Sequence, residues 1–409
     1  MESLAELLFL HHSFVVPYVE NRIVHDADAH LMETPTWLDP WLDPSIAERV
    51  QRRTLVGGVG GSGDDAAERY FDRMAQQQAD EEYRSRDTDE LLTRKNWDAP
   101  GSFIKEDRPA VLDELGFQSQ LIFNTFDSTY LEILEHGTDL ELAYGVATAH
   151  NRAMIDFTSV DPRLLSTCYV PLADFDAAAD IAAKAIAAGA NALLVPSSCP
   201  AGHSPSHASL DRVWAIAQEA GVPVVFHVGG GGKLINPDYF LNGKPVPPDF
   251  HGGAENFRSV DYMAIPGPPM QTLAAMIFDG VFERFPDLRF GVIEQGAIWL
   301  PGFMRQMESA FDAFHRHEER LQALSLRPTE FVQRQLRATP YPTEDVGWII
   351  SQGCEDVVLF SSDYPHVEGG RRPIERFERS LGDASETVRS KFYADNFVDL
   401  MGSALFATA

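Results

Sequence analysis

Short runs of apolar residues alternate along this chain with longer segments in which apolar residues recur at helical spacing. The clearest apolar run is Val357–Phe360, which leads directly into Ser361, Ser362 and Asp363 and then into a turn. Four consecutive apolar residues followed by small polar residues are typical of a buried strand that ends at the edge of a sheet. Runs of this kind predict strands near residues 22, 120, 165, 192, 223, 289, 337 and 358.

The segments between these runs predict helices. Two of them, an alanine-rich segment before Gly189 and a second one before Gly221, end at a glycine, which adopts the left-handed conformation that terminates helices. A long loop is predicted over residues 229–268. The predicted helices are Leu140–Phe157, Phe175–Ala188, Leu210–Ala220, Met270–Phe282, Leu300–Leu324, Thr343–Ile350, Ile374–Leu381 and Glu386–Gly402.

Strands that alternate with helices of about 10 to 18 residues indicate βαβ units and a parallel sheet. Eight such units favour a closed (β/α)8 TIM barrel over an open doubly wound sheet, and the missing GxGxxG after the first strand weakens the dinucleotide-binding alternative. We therefore predict an α/β fold with one (β/α)8 barrel domain over residues 1–409.

A long insertion is expected after the first strand, over residues 31–110. The glycine run Val56–Gly63 cannot hold a regular element, and it lacks the Gly-Lys-Ser/Thr ending of a phosphate-binding loop. The charged stretch Asp64–Thr93 has the composition of a solvated helical segment. The insertion is interpreted as a possible lid, with an ordinary surface loop as the alternative.

Charge and composition exclude several classes of protein. The chain has 33 Lys and Arg against 61 Asp and Glu, a formal net charge of −28, which disfavours nucleic acid as a partner. No window reaches 18 consecutive apolar residues, so no membrane span is expected. Cys168, Cys199 and Cys354 are scattered, as in reduced cytoplasmic proteins. The segment Met1–Tyr18 is a poor secretory signal and is interpreted as an arm at a subunit contact.

Polar residues with metal-binding side chains follow four of the predicted strands. In a (β/α)8 barrel the carboxyl ends of the strands form the active-site face. Imidazole and carboxylate groups are suitable ligands for zinc and similar divalent ions. The spacing of Asp28 and His30, two apart on one strand, places both side chains on the same face. The candidate residues are Asp26, Asp28, His30, His227, Glu294, Asp363 and His366.

These motifs resemble the amidohydrolase superfamily. The resemblance lies in Asp26-Ala-Asp28-Ala-His30-Leu-Met-Glu33, Phe226-His227, Glu294-Gln-Gly296-Ala-Ile-Trp299-Leu-Pro301 and Ser361-Ser-Asp363-Tyr-Pro-His366-Val-Glu-Gly369. It is to the amidohydrolase-related branch, which includes aminocarboxymuconate-semialdehyde decarboxylase and resorcylate-type decarboxylases. It covers the first strand and the chain from about residue 110 onward, roughly three quarters of the length.

The resemblance implies one divalent metal ion, with Zn²⁺ expected and Mn²⁺ or Mg²⁺ as alternatives. Its implied ligands are Asp28, His30, His227 and Asp363. No lysine that could be carbamylated stands at the end of the fourth predicted strand, Leu194-Val195-Pro196, which favours a mononuclear site. The decarboxylase that names the branch has a histidine at the end of strand 6, whereas this chain has Glu294.

The implied activity is decarboxylation, as a carbon–carbon lyase, of a small aromatic or ring-cleavage carboxylic acid. Hydrolysis of an ester, lactone, amide or C–C bond is the alternative, because Glu294 and an imidazole differ in charge and pKa. A barrel without catalytic activity that serves as a binding protein is a third interpretation. Asp363 is the expected proton carrier, and Glu294 and His366 are candidates for relaying protons or orienting a ligand.

The substrate pocket is expected to form from the long loops. Within the segment 229–269, Arg258 is a candidate partner for a substrate carboxylate and His251 a second substrate-binding candidate. Trp299 and Phe303 are expected to pack their helix against the barrel. A small organic acid is the expected substrate, and a homodimer is the oligomeric state that the resemblance implies.

Overall fold

A parallel β-sheet with helices between successive strands organises the protein. The computed structural model describes residues 17–50, 91–229, 235–245 and 258–406, together with positions 72–73, 76–77, 79–80 and 83. In the sheet the strands follow one another in chain order, and every pair of neighbours is parallel. The strands are β1 (His25–Leu31), β2 (Ser119–Asn124), β3 (Leu164–Tyr169), β4 (Ala192–Leu194), β5 (Val224–His227), β6 (Phe290–Ile293) and β7 (Leu336–Ala338).

The strands are almost entirely buried on both faces. All six residues of β2 and of β3 are buried, as are all four of β5 and of β6. A parallel sheet covered by crossover helices requires such continuous apolar runs, and this is why the runs stand out in the sequence. The predicted parallel α/β architecture is confirmed.

The predicted eighth strand is not a regular strand. Residues 357–364 form two isolated parallel bridges instead, one between Val358 and Ala338 of β7 and one between Tyr364 and Ala29 of β1. The carbonyl of Phe360 also accepts from the N–H of Ala27 at 3.1 Å. This segment therefore connects backbone to backbone with both β7 and β1, and the sheet curls.

Helices connect the strands on the outside of the sheet. The long helix before β3 is capped by Asp139, whose side chain accepts from the N–H of Leu142, and the helix after β3 is capped in the same way by Asp174. The α-helices are Pro44–Ala47, Arg108–Leu115, Asp127–Glu135, Leu140–Thr158, Phe175–Ala187, Asp211–Ala220, Ser259–Ala264, Gly267–Phe278, Val281–Arg284, Leu300–Phe314, Glu319–Gln322, Pro328–Gln335, Val346–Ile349, Pro373–Leu381, Glu386–Ser390 and Asn396–Met401.

Shorter helical turns complete the connections. The π-helical turns Ile350–Cys354 and Lys391–Asp395 each follow directly on a helix, and the first is kinked at Gly353, which has a φ of 90°. The 3₁₀ turns are Asp39–Trp41, Asn96–Asp98, Lys105–Asp107, Ala208–Leu210, Pro237–Phe240 and Gly402–Phe406. Within the described part of the chain, no helix is long and apolar enough to cross a membrane.

Several predicted boundaries differ from the structure. The first strand starts at His25 rather than near residue 22, and the segment 300–324 contains two helices, which end at Phe314 and Gln322. The segment 270–282 is also divided, because Gly280 adopts a left-handed conformation with φ of 79° between its two helices. The helix Asp127–Glu135 was not predicted. The glycine run 56–63 and most of the stretch 64–93 lie outside the described residues, so the lid stays a prediction.

Candidate metal centre

β1 carries the first two predicted ligands. The register of β1 against β2 shifts between Asp26 and Ala29, as it does at a β-bulge. Asp28 and His30 are each only 1% exposed, and Oδ1 of Asp28 lies 3.1 Å from Nε2 of His30. Nδ1 of His30 contacts the carbonyl oxygen of Asn124 at 3.1 Å. This second contact fixes the ring so that Nε2 faces Asp28.

His227 ends β5 and adds a second imidazole. Its Nε2 lies 3.3 Å from Oδ1 of Asp28, and its Nδ1 is 2.7 Å from the carbonyl oxygen of Val228. The backbone carbonyl of His227 accepts from the side-chain amide of Gln295 at 2.9 Å, which ties the end of β5 to the segment after β6. The two imidazole Nε2 atoms of His30 and His227 thus converge on one carboxylate.

Glu294 follows β6 directly and extends the same group. Its Oε2 lies 3.2 Å from Nε2 of His227 and 3.7 Å from Nε2 of His30. Glu294 has a φ of 51°, a conformation that is uncommon for a residue with a side chain. In this conformation its carboxylate lies beside both imidazoles.

Asp363 and His366 come from the segment that bridges β7 and β1. Oδ1 of Asp363 lies 3.6 Å from Nε2 of His30 and 2.8 Å from Nδ1 of His366. The other ring nitrogen of His366 is 3.0 Å from the hydroxyl of Thr125. Because that hydroxyl donates to the carbonyl of Leu31 at 2.8 Å, it accepts from Nε2–H of His366. Thr125 therefore orients the imidazole toward Asp363.

These side chains form two overlapping groups of metal-ligand type. Asp28, His30, His227 and Glu294 place one ligand atom each within 4.8 Å of one another. A second group, His30, Glu294, Asp363 and His366, meets the same criterion. Every predicted metal ligand and every predicted catalytic residue belongs to one of the two groups, or to both.

The residues present fit a divalent cation. Oδ2 of Asp28 and Nε2 of His30 are buried, and neither makes a hydrogen bond of good geometry to any described residue. Buried polar atoms without such partners are rare in folded proteins. The imidazoles and carboxylates of the two groups are also the donor types that zinc and manganese accept in proteins.

Burial and mutual charge shift the pKa values within the cluster. Burial alone raises the pKa of Asp28, but the imidazoles of His227 and His30 outweigh it and bring that pKa below its usual range. Burial, together with the charge of His366, lowers the pKa of His30 to about 4, so its imidazole is neutral at pH 7, the form that binds metals. For His366, burial lowers the pKa, but the carboxylate of Asp363 outweighs it and raises the pKa to about 9.

Asp26 is outside both groups, although it stands beside the ligands in the sequence. Its carboxylate accepts from the backbone N–H of Ser362 at 2.7 Å, from the hydroxyl of Ser362 at 2.6 Å and from the side-chain amide of Gln120 at 2.8 Å. The fully buried Arg108 donates to Gln120 at 3.0 Å and to the carbonyl of His30 at 3.0 Å. Asp26 thus fastens β1 to the segment that carries Asp363.

The predicted substrate residues either contact residues outside this cluster or lie outside the described chain. Arg258 stacks on the ring of Phe240 at 3.6 Å, and its Nε is 3.7 Å from Oδ2 of Asp261. His251 lies outside the described residues, so its role stays a prediction. The ring centroids of Trp299 and Phe303 lie 5.4 Å apart, so the two rings contact each other.

Thr125 was not predicted from the sequence. A threonine after a strand carries no pattern of its own, and only its position next to Asn124 at the end of β2 places it near the cluster. The same is true of Gln120 and Arg108, whose polar side chains are completely buried. A charged residue such as Arg108 is usually exposed, so the sequence gives no sign of its structural role.

Comparison with solved structures identifies similar folds. An amidohydrolase from Mycobacterium avium subsp. paratuberculosis has a TM-score of 0.72 at 25% identity, covering 94% of this chain and 100% of that chain. A 5-carboxyvanillate decarboxylase from Novosphingobium aromaticivorans, with bound manganese and a nitrobenzoic acid, has a TM-score of 0.60 at 16% identity and covers 93% and 97%. A dihydroxybenzoic acid decarboxylase from a Polaromonas species, with bound manganese and 2-nitroresorcinol, has a TM-score of 0.59 at 16% identity and covers 93% and 97%.

Sequence comparison gives the family. No curated protein matches the chain. The family model described as amidohydrolase, however, matches residues 25–397, which begins at the first residue of β1 and includes every cluster residue from Asp28 to His366. With its ligand-type side chains at the strand ends and a match over nearly its whole length, this chain belongs to the amidohydrolase family.

Proposed function

We propose that this chain is a metal-dependent decarboxylase of a small aromatic or ring-cleavage carboxylic acid. The observation that carries the proposal is the convergence of Asp28, His30, His227 and Asp363, from three separate parts of the sheet, within the two ligand groups. These four residues would hold one divalent ion, Zn²⁺ or Mn²⁺. When bound, such an ion supplies Lewis-acid chemistry to a coordinated carboxylate or carbonyl oxygen.

The fold similarities support the choice of substrate class. Two of the similar structures are decarboxylases of hydroxylated benzoic acids, and both hold manganese together with an aromatic ligand. Their identity to this chain is only 16%, so they support the fold and suggest the substrate class for testing. We extend the proposal to a complete (β/α)8 barrel over residues 1–409, in which residues 357–364 take the place of the eighth strand and 31–110 forms a lid.

Asp363 and His366 supply the proton in this proposal. A carbon atom of the substrate accepts a proton, its bond to the carboxylate breaks, and the electron pair of that bond remains with the carbon as CO₂ leaves. Asp363 would deliver the proton, and His366, 2.8 Å away, would replace it. Thr125 holds the opposite ring nitrogen, which keeps Nδ1 of His366 2.8 Å from Oδ1 of Asp363. Solvent then restores the proton of the pair.

Hydrolysis of an ester, lactone, amide or C–C bond is the second candidate. Glu294 favours this candidate. Its carboxylate lies 3.2 Å from His227, at the position where aminocarboxymuconate-semialdehyde decarboxylase has a histidine. A carboxylate at this position could accept a proton from an attacking water, as a general base does. Decarboxylation needs a proton donor instead. The cluster would therefore accept a proton in hydrolysis and donate one in decarboxylation.

Other assignments remain proposals. Arg258 and His251 are proposed to line the substrate pocket, and the chain is proposed to form a homodimer in the cytoplasm. The contacts of Arg258 with Phe240 and Asp261 would have to change if its guanidinium is to meet a substrate carboxylate.

Metal analysis and product analysis test the function. Purified protein is analysed for divalent metals, stripped with a chelator, and refilled with Zn²⁺ or Mn²⁺. Each form is then incubated with hydroxybenzoates and, separately, with esters and lactones. We expect about one metal ion per chain and metal-dependent release of CO₂ from a hydroxybenzoate. Release of acid without CO₂ supports the hydrolase. Protein that binds neither ion contradicts both proposed activities and favours a barrel that serves as a binding protein without catalytic activity.

A further inference from the structure

The backbone of Glu294 is held in an unfavourable conformation. Its φ of 51° lies in the left-handed region, which is unfavourable for a residue with a Cβ atom. Gly296, two residues after Glu294, is also left-handed, with a φ of 68°. Left-handed residues with side chains persist only where their surroundings hold them, and they concentrate at functional sites.

The peptide groups on both sides of Glu294 are held by Thr339 and Tyr341, which both follow β7. The backbone N–H of Glu294 donates to the hydroxyl of Thr339 at 2.8 Å, and the hydroxyl of Tyr341 donates to the backbone carbonyl of Glu294 at 2.6 Å. Thr339 is itself tied to β6, because its N–H donates to the carbonyl of Val292 at 3.0 Å. We call Thr339 and Tyr341 the Glu294 clamp.

Glu344 secures the rest of the turn after Glu294. Its carboxylate accepts from the N–H of Ala297 at 2.8 Å and from the N–H of Tyr341 at 3.3 Å. A Cβ atom at Gly296 would lie 2.6 Å from Oε1 of Glu344 and 3.1 Å from the ring of Tyr341. The turn 294–297 is thus packed directly onto the segment 341–344, and a Cβ atom at position 296 would displace the side chain of Glu344.

The clamp decides where the Glu294 carboxylate lies. With both flanking peptide groups fixed, the left-handed backbone brings Oε2 to 3.2 Å from Nε2 of His227 and within the group formed with Asp28 and His30. If Glu294 instead adopted an ordinary right-handed or extended conformation, its Cβ would leave the backbone in another direction. The carboxylate would then lose this position.

We propose that Glu294 is a fifth metal donor and that Thr339 and Tyr341 are positioning residues for it. The inference rests on the proposed metal site. Three carboxylates and two imidazoles form a donor set richer in oxygen than the four implied ligands alone. Oxygen donors suit Mn²⁺, whereas imidazole suits Zn²⁺, so Glu294 shifts the preference of the site toward Mn²⁺.

The test measures Mn²⁺ and Zn²⁺ dissociation constants by competition with a chelating indicator. Tyr341→Phe removes the hydroxyl that donates to Glu294, and Thr339→Val removes the hydroxyl that accepts from it. We expect each to weaken Mn²⁺ binding about tenfold, the lower end of the effect of groups that orient metal ligands, and to weaken Zn²⁺ binding less. Thr339→Ser keeps the hydroxyl and should restore Mn²⁺ binding. Tyr144→Phe is the control. It removes a hydroxyl that donates to the backbone carbonyl of Pro171, outside the cluster, and should leave both dissociation constants unchanged.

A double-mutant cycle connects the clamp to Glu294. In a Glu294→Gln background, Tyr341→Phe should have no further effect on Mn²⁺ binding, because the donor that it positions has lost its charge. The same tenfold loss in that background, or equal losses for Mn²⁺ and Zn²⁺, would overturn the clamp. Unchanged binding in Tyr341→Phe would overturn it as well. A native chain that binds neither ion contradicts the proposed function itself, so the two failures are distinguishable.

Discussion

The backbone N–H of Asp363 donates to the backbone carbonyl of Asp28 at 2.8 Å. Two proposed metal ligands from opposite ends of the chain are thus joined by a direct hydrogen bond. Two residues further along β1 and one residue further along the other segment, the N–H of His30 donates to the carbonyl of Tyr364 at 2.7 Å. The distance between the ligand side chains is therefore set by backbone pairing, and changes that move either backbone should disturb the site.

Gly369 tests this dependence on the backbone. A Cβ atom at position 369 would lie 2.0 Å from the carbonyl oxygen of Ser362 and 3.1 Å from Cβ of Asp363. Because the closest atom belongs to the backbone, Gly369→Ala must displace the segment that carries Asp363. We expect it to lower the free energy of unfolding by about 1–3 kcal/mol, as overpacking does, and to weaken metal binding. Urea unfolding and the metal competition assay measure the two effects.

Gly302→Ala is the matched control for this substitution. Gly302 lies in the helix Leu300–Phe314, and a Cβ atom there would meet nothing within 4 Å. Alanine at this position should stabilise the protein by about 0.5–1 kcal/mol, since it favours the helix, with no change in metal affinity. A Gly369→Ala variant that behaves like Gly302→Ala would contradict the proposed tightness of the Ser362–Asp363 contact.

Asp363→Asn should abolish most of the activity. The substitution keeps the size of the side chain but removes the group that would carry the proton. We expect kcat on the substrate found in the product assays to fall by at least about 10²-fold with metal present in excess. The exposed Asp383→Asn removes the same charge at the surface and should leave kcat unchanged. Near-normal kcat in Asp363→Asn would refute its assignment as proton carrier.

Asp26 is expected to matter for stability rather than chemistry. Asp26→Ala leaves the N–H of Ser362, its hydroxyl and the amide of Gln120 without their buried acceptor. Buried donors without an acceptor cost about 1–3 kcal/mol each, so this variant should lose several kcal/mol in urea unfolding. Ser362→Ala removes one of these bonds and also the hydroxyl that accepts from the N–H of Tyr364 at 3.1 Å, so it should lose less, about 1–2 kcal/mol. Equal losses would show that the network is not organised around Asp26.

The sequence predicted the parallel α/β fold and the residues at its strand ends for one physical reason. Strands buried on both faces require continuous apolar runs, so polar residues stand out where the runs stop, as at His227 after β5 and Glu294 after β6. The ligand-type residues could therefore be selected without any structure. Their convergence followed from the rule that parallel strands end at the same edge.

The residues that support the site could not be predicted in this way. Thr339 and Tyr341 follow β7, a strand of only three residues, and neither side chain differs in type from ordinary loop residues. Their importance depends on the left-handed backbone of Glu294, which no pattern of hydrophobicity encodes. The β1 bulge and the burial of Arg108 are likewise consequences of tertiary contacts, which override local preferences.

A buried carboxylate that belongs to neither ligand group predicts a pH effect on stability. Glu135 is completely buried and accepts from the hydroxyl of Tyr169 at 2.7 Å and from the N–H of Leu172 at 2.6 Å. Burial raises its pKa from 4.5 to about 6, although these two hydrogen bonds lower it. The folded state therefore binds the proton more tightly than the unfolded state. The stabilisation by this proton is complete below pH 4.5 and is lost as the pH rises through about 6.

Glu135→Gln removes this titration while it keeps the size of the side chain, and the hydroxyl of Tyr169 can turn to accept from the new amide. One pKa unit corresponds to about 1.4 kcal/mol, so the stability of the native protein relative to the variant should fall by about 2 kcal/mol between pH 4.5 and pH 7.5. Urea unfolding of both proteins at the two pH values measures the difference, in which the other titrating groups cancel. For the control Glu219→Gln, at an exposed position, the difference in unfolding free energy between native protein and variant should be the same at both pH values. If Glu135→Gln does so as well, the carboxylate of Glu135 does not hold a proton more tightly in the folded state.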